Sequence, residues 1–257
     1  MPVRQVENTL ALLEFFAERQ QPATLADVVQ RMGWPRSSTF NILSTLLERG
    51  YLYEPHARGG FYPTPRLLQM ALVIAEGEPL PAPLARAMHR VAEETGETAL
   101  VSAPSGLYAV YLDVVESKAV VRYAAKPGIR VPLHATASGQ ALLSQLSPQD
   151  LGVLLRKMTF KQFGMNTPMS IDEVLARIDE SRKRGWFRSG WTYSPDVGAA
   201  ALPVVDGDRV FALAAAGPLI RVESKAEEHA LLLYRVIDEE FGTGHSRRTL
   251  RDFNVLL

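Results

Sequence analysis

Residues 24–62 read TLADVVQRMGWPRSSTFNILSTLLERGYLYEPHARGGFY, and the order of two short helical patterns, a corner and a hairpin-like stretch is that of a winged helix-turn-helix. In the first pattern Thr24 suits an N-cap, and Leu25, Val28, Val29 and Met32 recur at three- and four-residue spacing before Gly33 ends the helix. Pro35 fits the first position of the next helix, where its missing N–H is harmless. Phe40, Leu43, Leu46 and Leu47 are expected to form that helix's buried stripe, up to a stop at Gly50. Its polar face carries Arg36, Ser37, Ser38, Asn41 and Ser44. In readers of this type the first half of the second helix meets base edges, where Asn and Arg pair bidentately and Ser reaches phosphates. Taken alone, such a face is more often ordinary solvated surface. The neighbours favour the first reading: Val6, Leu10, Leu13, Phe16 and Ala17 mark a helix able to close a three-helix core. Tyr51 to Tyr53 and Phe61 to Tyr62 flank a tip in which Arg58 would sit beside a phosphate, or simply close a hairpin. Double-stranded operator DNA is the expected partner.

The charge balance adds a condition. Lys plus Arg and Asp plus Glu both total 28 over the 257 residues, so no basic excess supports non-specific nucleic-acid binding. The first 64 residues repeat this, with Arg4, Arg19, Arg31, Arg36, Arg49 and Arg58 offset by Glu7, Glu14, Glu18, Asp27, Glu48 and Glu54. A dimer or higher assembly that adds several weak electrostatic footprints is therefore expected. The chain has no cysteine, which excludes disulfides, thiolate metal sites and cysteine nucleophiles and suits a reducing compartment. With neither a leader-like start nor an apolar run of membrane-spanning length, a cytoplasmic protein with no membrane partner is expected.

After the wing, Arg66 to Glu76 form an apolar-rich helix through Leu67, Leu68, Ala71, Leu72 and Ile74, which reads as a connector needing a covering surface, either another chain or its own second domain. Gly77, Pro79, Pro81 and Pro83 then mark a boundary. Beyond it the pattern predicts a helix over 84–95, strands near 98–103, 108–115 and 119–123, and a helix over 138–144. Further helices follow from Pro148 and Ile171, then strands near 200–205 and 210–216 joined by Asp206-Gly207-Asp208, and a closing helix over 225–241. This is an α+β domain around an antiparallel sheet.

The stretch from Gly128 to Leu143, GIRVPLHATASGQALL, resembles the signature of the isocitrate lyase regulator (IclR) family. Gly33 to Ser38, Thr45-Leu46, Gly50-Tyr51, Arg184-Gly185-Trp186 and the strand Ala201-Leu202-Pro203-Val204 match as well, over about 6–242. The resemblance implies a bacterial transcription factor with a winged helix-turn-helix DNA-binding domain over 1–64, a linker helix over 65–79, a GAF-like effector-binding domain over 80–245 and a tail over 246–257. It also implies a homodimer or homotetramer. Asn41 stands where the family often has Arg, and Gln140 where Lys is common, so no operator sequence transfers.

By the same resemblance, the effector pocket lies between the helix near Ala137, the loop before the Ala200 strand and the Val210 strand, which nominates Ala137, Ser138, Gly139, Trp191, Tyr193, Asp196, Ala214 and Ala216. Ser138 and Gly139 at a helix start favour a carboxylate, hence an organic acid. Ser138 as a plain cap and Gly139 as a packing glycine is the alternative. Trp191 and Tyr193 add flat apolar surface and point to an aromatic acid, with room left by Ala214 to Ala216. His134 is assigned a loop-holding role, and Arg130 a tie to that loop.

No nucleophile elbow, Walker loop, dinucleotide fingerprint or metal-spaced set is present, so neither an enzyme, a cofactor nor a metal is expected. A ligand-independent DNA-binding or interaction module, and an enzyme with an unrecognised site, are the rival readings. Effector binding is expected to shift the placement of DNA-reading domains through the connector. RNA polymerase is a further candidate partner, and the sign of regulation depends on contacts with it and on where the operator sits.

Overall fold

The computed structural model describes residues 3–56, 59–77 and 80–247, and the chain divides into two compact units, Met1–Pro79 and Leu80–Leu257.

The first unit opens with α1 (Arg4–Arg19), α2 (Leu25–Met32) and α3 (Arg36–Glu48), followed by β1 (Leu52–Tyr53), β2 (Tyr62–Pro63) and α4 (Arg66–Gly77). α2 starts where Thr24 and Asp27 bond reciprocally: the Asp27 N–H donates to Thr24 Oγ1 at 3.2 Å and the Thr24 N–H to Asp27 Oδ2 at 2.9 Å. It ends at Gly33, whose φ of +67° suits a residue without Cβ. β1 and β2 pair antiparallel, and Ala23 bridges Phe61, tying the strand pair back to the start of α2. The core is Leu12, Phe15, Phe16, Val28, Leu43 and Leu52.

Two expected faces differ from this core. Val6 and Leu10 are 57% and 56% exposed and Ala17 is exposed as well; of the expected residues Phe16 is buried, and α1 packs through it together with Leu12 and Phe15. Apolar residues surround α1 on all sides, so spacing alone does not select the inward face. In α3 the buried residues are Thr39 and Leu43, whereas Phe40 is 52% and Leu47 36% exposed. The Thr39 hydroxyl is accommodated because it donates to the Pro35 carbonyl at 3.1 Å. Pro35 itself is the N-cap, one position before the helix.

The second unit is a six-stranded sheet in the order β5-β4-β3-β8-β7-β6, antiparallel throughout. Its strands are β3 (Thr98–Ser105), β4 (Tyr108–Val115), β5 (Arg130–Pro132), β6 (Phe187–Gly190), β7 (Val197–Asp206) and β8 (Arg209–Pro218). The helices are α5 (Ala82–Thr95), α6 (Ala137–Leu143), α7 (Pro148–Arg156), α8 (Ile171–Arg184), α9 (Leu219–Val222) and α10 (Ala226–Phe241). The period of two in β8 builds both layers: Phe211, Leu213 and Ala215 pack with α5 and α10, while Ala212, Ala214 and Ala216 face the core that contains α6, α7 and α8 residues.

Three local expectations are corrected. Residues 119–123 form no strand. The Thr98 hydroxyl donates to the Tyr123 carbonyl at 2.7 Å and accepts the Ser117 N–H at 3.1 Å, so side-chain bonds replace a ladder, and the sheet edge is β5 instead. β6 was not expected, because Phe-Arg-Ser-Gly carries no apolar alternation and forms only by pairing with β7. The cap of α6 is Thr136, which accepts the Gly139 N–H at 3.1 Å, and not Ser138, which is the second helical residue.

Candidate functional site

In the first unit, the αL turn at Gly33 ends α2 and α3 begins after Pro35. Arg36, Ser37, Ser38 and Asn41 are exposed there and Ser44 is half-buried. The side chains of Arg36, Ser37, Ser38 and Asn41 hold no hydrogen bond or ion pair with another described residue, so their donors and acceptors are available to a partner. Arg58 lies outside the described residues. Below the helix, the Arg66 guanidinium sits 4.9 Å over the Tyr51 ring and donates to the Arg49 carbonyl at 2.8 Å. These contacts join the first turn of α4 to the end of α3.

In the second unit, a small cavity lies between the sheet and the start of α6. Its walls are Leu100, Ala214 and Ala216 from the sheet floor, Tyr111, Tyr123 and Tyr193, and Thr136, Ala137 and Ser138, with Ser189, Val197 and Ala199 closing it. Its volume is about 20 Å³, room for roughly one water molecule. The Tyr111 and Tyr123 hydroxyls meet at 3.2 Å. Burial raises both phenols above their ordinary range, most of all Tyr111, so they stand neutral. The Ser138 and Ser189 hydroxyls bond no other described residue. None of the lining residues is basic.

Of the residues nominated from the sequence, the structure brings Ala137, Ser138, Tyr193, Ala214 and Ala216 together around this cavity. Gly139 is not in its wall: a Cβ there would lie 2.3 Å from the Leu133 carbonyl oxygen, so it serves close packing of α6 on the preceding loop. Trp191 lines a separate outer groove of about 600 Å³ with Arg177, Arg188 and Asn166. Asp196 is exposed, and its carbonyl accepts the Leu219 N–H at 2.7 Å. Ser189 and Ala199 line both the groove and the cavity and so form the partition between them.

Sequence reasoning missed Leu100, Tyr111, Tyr123, Thr136, Ser189, Val197 and Ala199. Strand alternation through Leu100 and Tyr111 was a usable signal. Tyr123 had none, since it sits in an irregular loop. That loop is anchored at its base by Arg221, which grips buried Glu97 through two bonds of 2.7 and 2.8 Å and donates to the Val121 carbonyl at 3.0 Å. His134 is buried in the loop before α6, with its ring 5.4 Å from Phe160 and 6.1 Å from Phe163. Desolvation holds its pKa below the ordinary histidine range, against a backbone hydrogen bond with Lys161. Arg130 stacks on the Tyr108 ring at 4.3 Å. Among the described residues no group of three or more His, Asp or Glu could hold a metal ion, and no helix is long and apolar enough to cross a membrane.

Residues 77–236 match the family described as bacterial transcriptional regulator IclR C-terminal, and residues 5–55 match the IclR helix-turn-helix domain. The chain is 24% identical over 249 residues to the HTH-type transcriptional regulator XynR of Escherichia coli K12, covering 96% of this chain and 98% of that one. It is 26% identical over 225 residues to the regulator BhcR of Paracoccus denitrificans, covering 86% and 79%. Among solved structures, Thermotoga maritima IclR superposes with a TM-score of 0.75 at 17% identity over 97% of this chain and 98% of that chain. An IclR homologue from Microbacterium hydrocarbonoxydans, solved in complex with 4-hydroxybenzoate, gives 0.64 at 20% identity, covering 91% and 99%.

Proposed function

The chain belongs to the IclR family of bacterial transcriptional regulators, with a helix-turn-helix DNA-binding domain and a C-terminal effector domain, and from that premise we propose that a small organic molecule occupying the cavity beneath α6 changes how the chain grips operator DNA. The observation that carries this reading is the wall itself: three tyrosines, two serine hydroxyls without described partners, and an alanine floor. Such a wall complements a flat ring with one or two polar substituents, and the 4-hydroxybenzoate complex of a homologue is of that kind.

Without a basic residue in the wall, an acid group would be received by hydroxyls and backbone N–H groups alone. A carboxylate that lost its water there without full bonding would bind weakly. A phenolic or hydroxylated aromatic acid fits better than a two- or three-carbon acid. To admit it the cavity must grow from about 20 Å³ towards the several hundred Å³ ordinary for ligand sites. Tyr123 and Tyr193 are the walls expected to move, because both stand on irregular segments and not on the sheet, and the bonds from Thr98 and Arg221 to the Tyr123 loop must adjust as it does. Ligand entry is thereby coupled to movement of those segments, which is the differential interaction a population shift requires.

Effector-linked motion reaches the DNA through α4 in an assembly of copies. α4 buries none of its residues, and Leu68, Leu72, Val73 and Ile74 are 49% to 67% exposed, which supports a homodimer or homotetramer in which a second copy covers them. Contact with RNA polymerase would set the sign of regulation.

Titration calorimetry with a panel of aromatic and short aliphatic acids, paired with gel-shift measurements on the DNA upstream of the gene, tests this reading. Tyr111→Phe and Tyr123→Phe are expected to weaken binding of a hydroxylated aromatic acid about 10-fold each, the weight of one buried hydrogen bond. Binding confined to short aliphatic acids would defeat the aromatic assignment. The nearly closed cavity favours a second reading, a DNA-binding module that responds to no ligand; operator affinity indifferent to every acid at saturation would select it.

A further inference from the structure

We infer that Phe40 is a base-reading residue of α3, its ring packing on the 5-methyl group of a thymine in the major groove. The inference rests on the assignment of α3 as the DNA-reading helix. Phe40 is the largest apolar side chain exposed on that helix, at 52%. It lies outside the core formed by Leu12, Phe15, Phe16, Val28, Leu43 and Leu52, and makes no aromatic or cation–π contact among the described residues. The fold therefore gains little from it.

Its position supplies the reason. α3 has a period of 3.6 residues, so Phe40 stands one turn from Arg36 and Ser37 on one side and from Ser44 on the other, and next to Asn41. It is thus embedded among the polar residues of the reading face, within the first two turns that such helices insert into the groove. The groove edge of a base pair offers hydrogen-bond donors and acceptors, and one apolar group, the thymine 5-methyl. That methyl is the chemical complement of an exposed phenyl ring at this place. A second copy of the chain seated on Phe40 would instead cover Ser37, Asn41 and Ser44 and block the reading face.

The test uses the full-length protein and a chemical change that removes only the methyl group. Preferred sites are selected from a random duplex library, and each thymine of a selected site is then replaced singly by uracil. Wild type is expected to bind about fourfold more weakly when one particular thymine in each half-site loses its methyl, the weight of one buried methyl group. Phe40→Ala is expected to bind the thymine duplex about as weakly as wild type binds the uracil duplex, and to show no thymine–uracil difference. Phe40→Leu should retain part of it. An unchanged thymine–uracil ratio in Phe40→Ala, or no ratio in wild type at any position, overturns the proposal. So does a loss of oligomer in Phe40→Ala with the ratio intact, which would seat the ring on another copy. If wild type enriches no sequence at all, the DNA-reading assignment of α3 fails first, a result distinct from enrichment without methyl sensitivity.

Discussion

Asn41 and Arg36 both lie on α3, exposed and without described side-chain partners, yet their chemistries predict opposite behaviour. An Asn amide can bond adenine N6 and N7 together, so Asn41→Ala is expected to cost about 1–3 kcal/mol on the preferred site and little on random DNA, relaxing specificity. Arg36→Ala should weaken all sequences alike and reduce the slope of log affinity against log salt by about 0.9. Binding curves on preferred and scrambled duplexes at several salt concentrations separate the two, and a uniform loss for Asn41→Ala would make it a backbone contact. At this scale residue type was legible and orientation was not. Phe40 belongs to the apolar class yet faces outward, and Trp191 lines an outer groove, reached by a backbone with φ of +55° that no spacing rule anticipates.

The elements that carry the reading face depend on their caps. Thr24 and Asp27 satisfy each other's N–H groups at the start of α2, and the bond from the Thr24 N–H, followed by that from its hydroxyl, holds the Asp27 pKa below its ordinary value. Thr24→Ala should cost about 1 kcal/mol, which corresponds to roughly 4–8 °C in the melting of a unit of this size. Thermal unfolding monitored by circular dichroism measures it, and an unchanged midpoint would show that α2 is held by packing alone. This cap was legible because capping is local, the bonded groups lying three residues apart. β6 and β5 were not, since each exists only by pairing with a strand distant in sequence, β6 with β7 and β5 with β4.

For the whole molecule, pH is the sharpest probe of burial. His134 and His229 both have pKa values pushed down from 6.5, chiefly by desolvation. With the folded values depressed, the unfolded chain takes up protons first, so stability is full above about 6.5 and falls as pH drops through the folded values. A second loss is expected below 3.8. There Asp27 and Asp238 must be protonated; the pKa of Asp238 is lowered because bonds from Ser246 and Gly244 outweigh its burial. Urea midpoints from about pH 8 to pH 3 should show both limbs, with His229→Leu flattening the first; a flat profile down to about pH 5 would mean that neither histidine is buried neutral. The sequence by itself determined the architecture of this protein, a helix-turn-helix joined to an α+β domain with an antiparallel sheet, because periodicity, glycine stops and hairpin turns are local and survive in a linear reading; that the second domain is an effector domain was implied only by the family resemblance of Gly128 to Leu143. Only the tertiary structure decided which faces turn inward on α1 and α3, which loop tyrosines close the cavity, and that the cavity is nearly shut. Those features depend on packing between segments far apart in the chain, where volume and register, and not residue type, select the outcome.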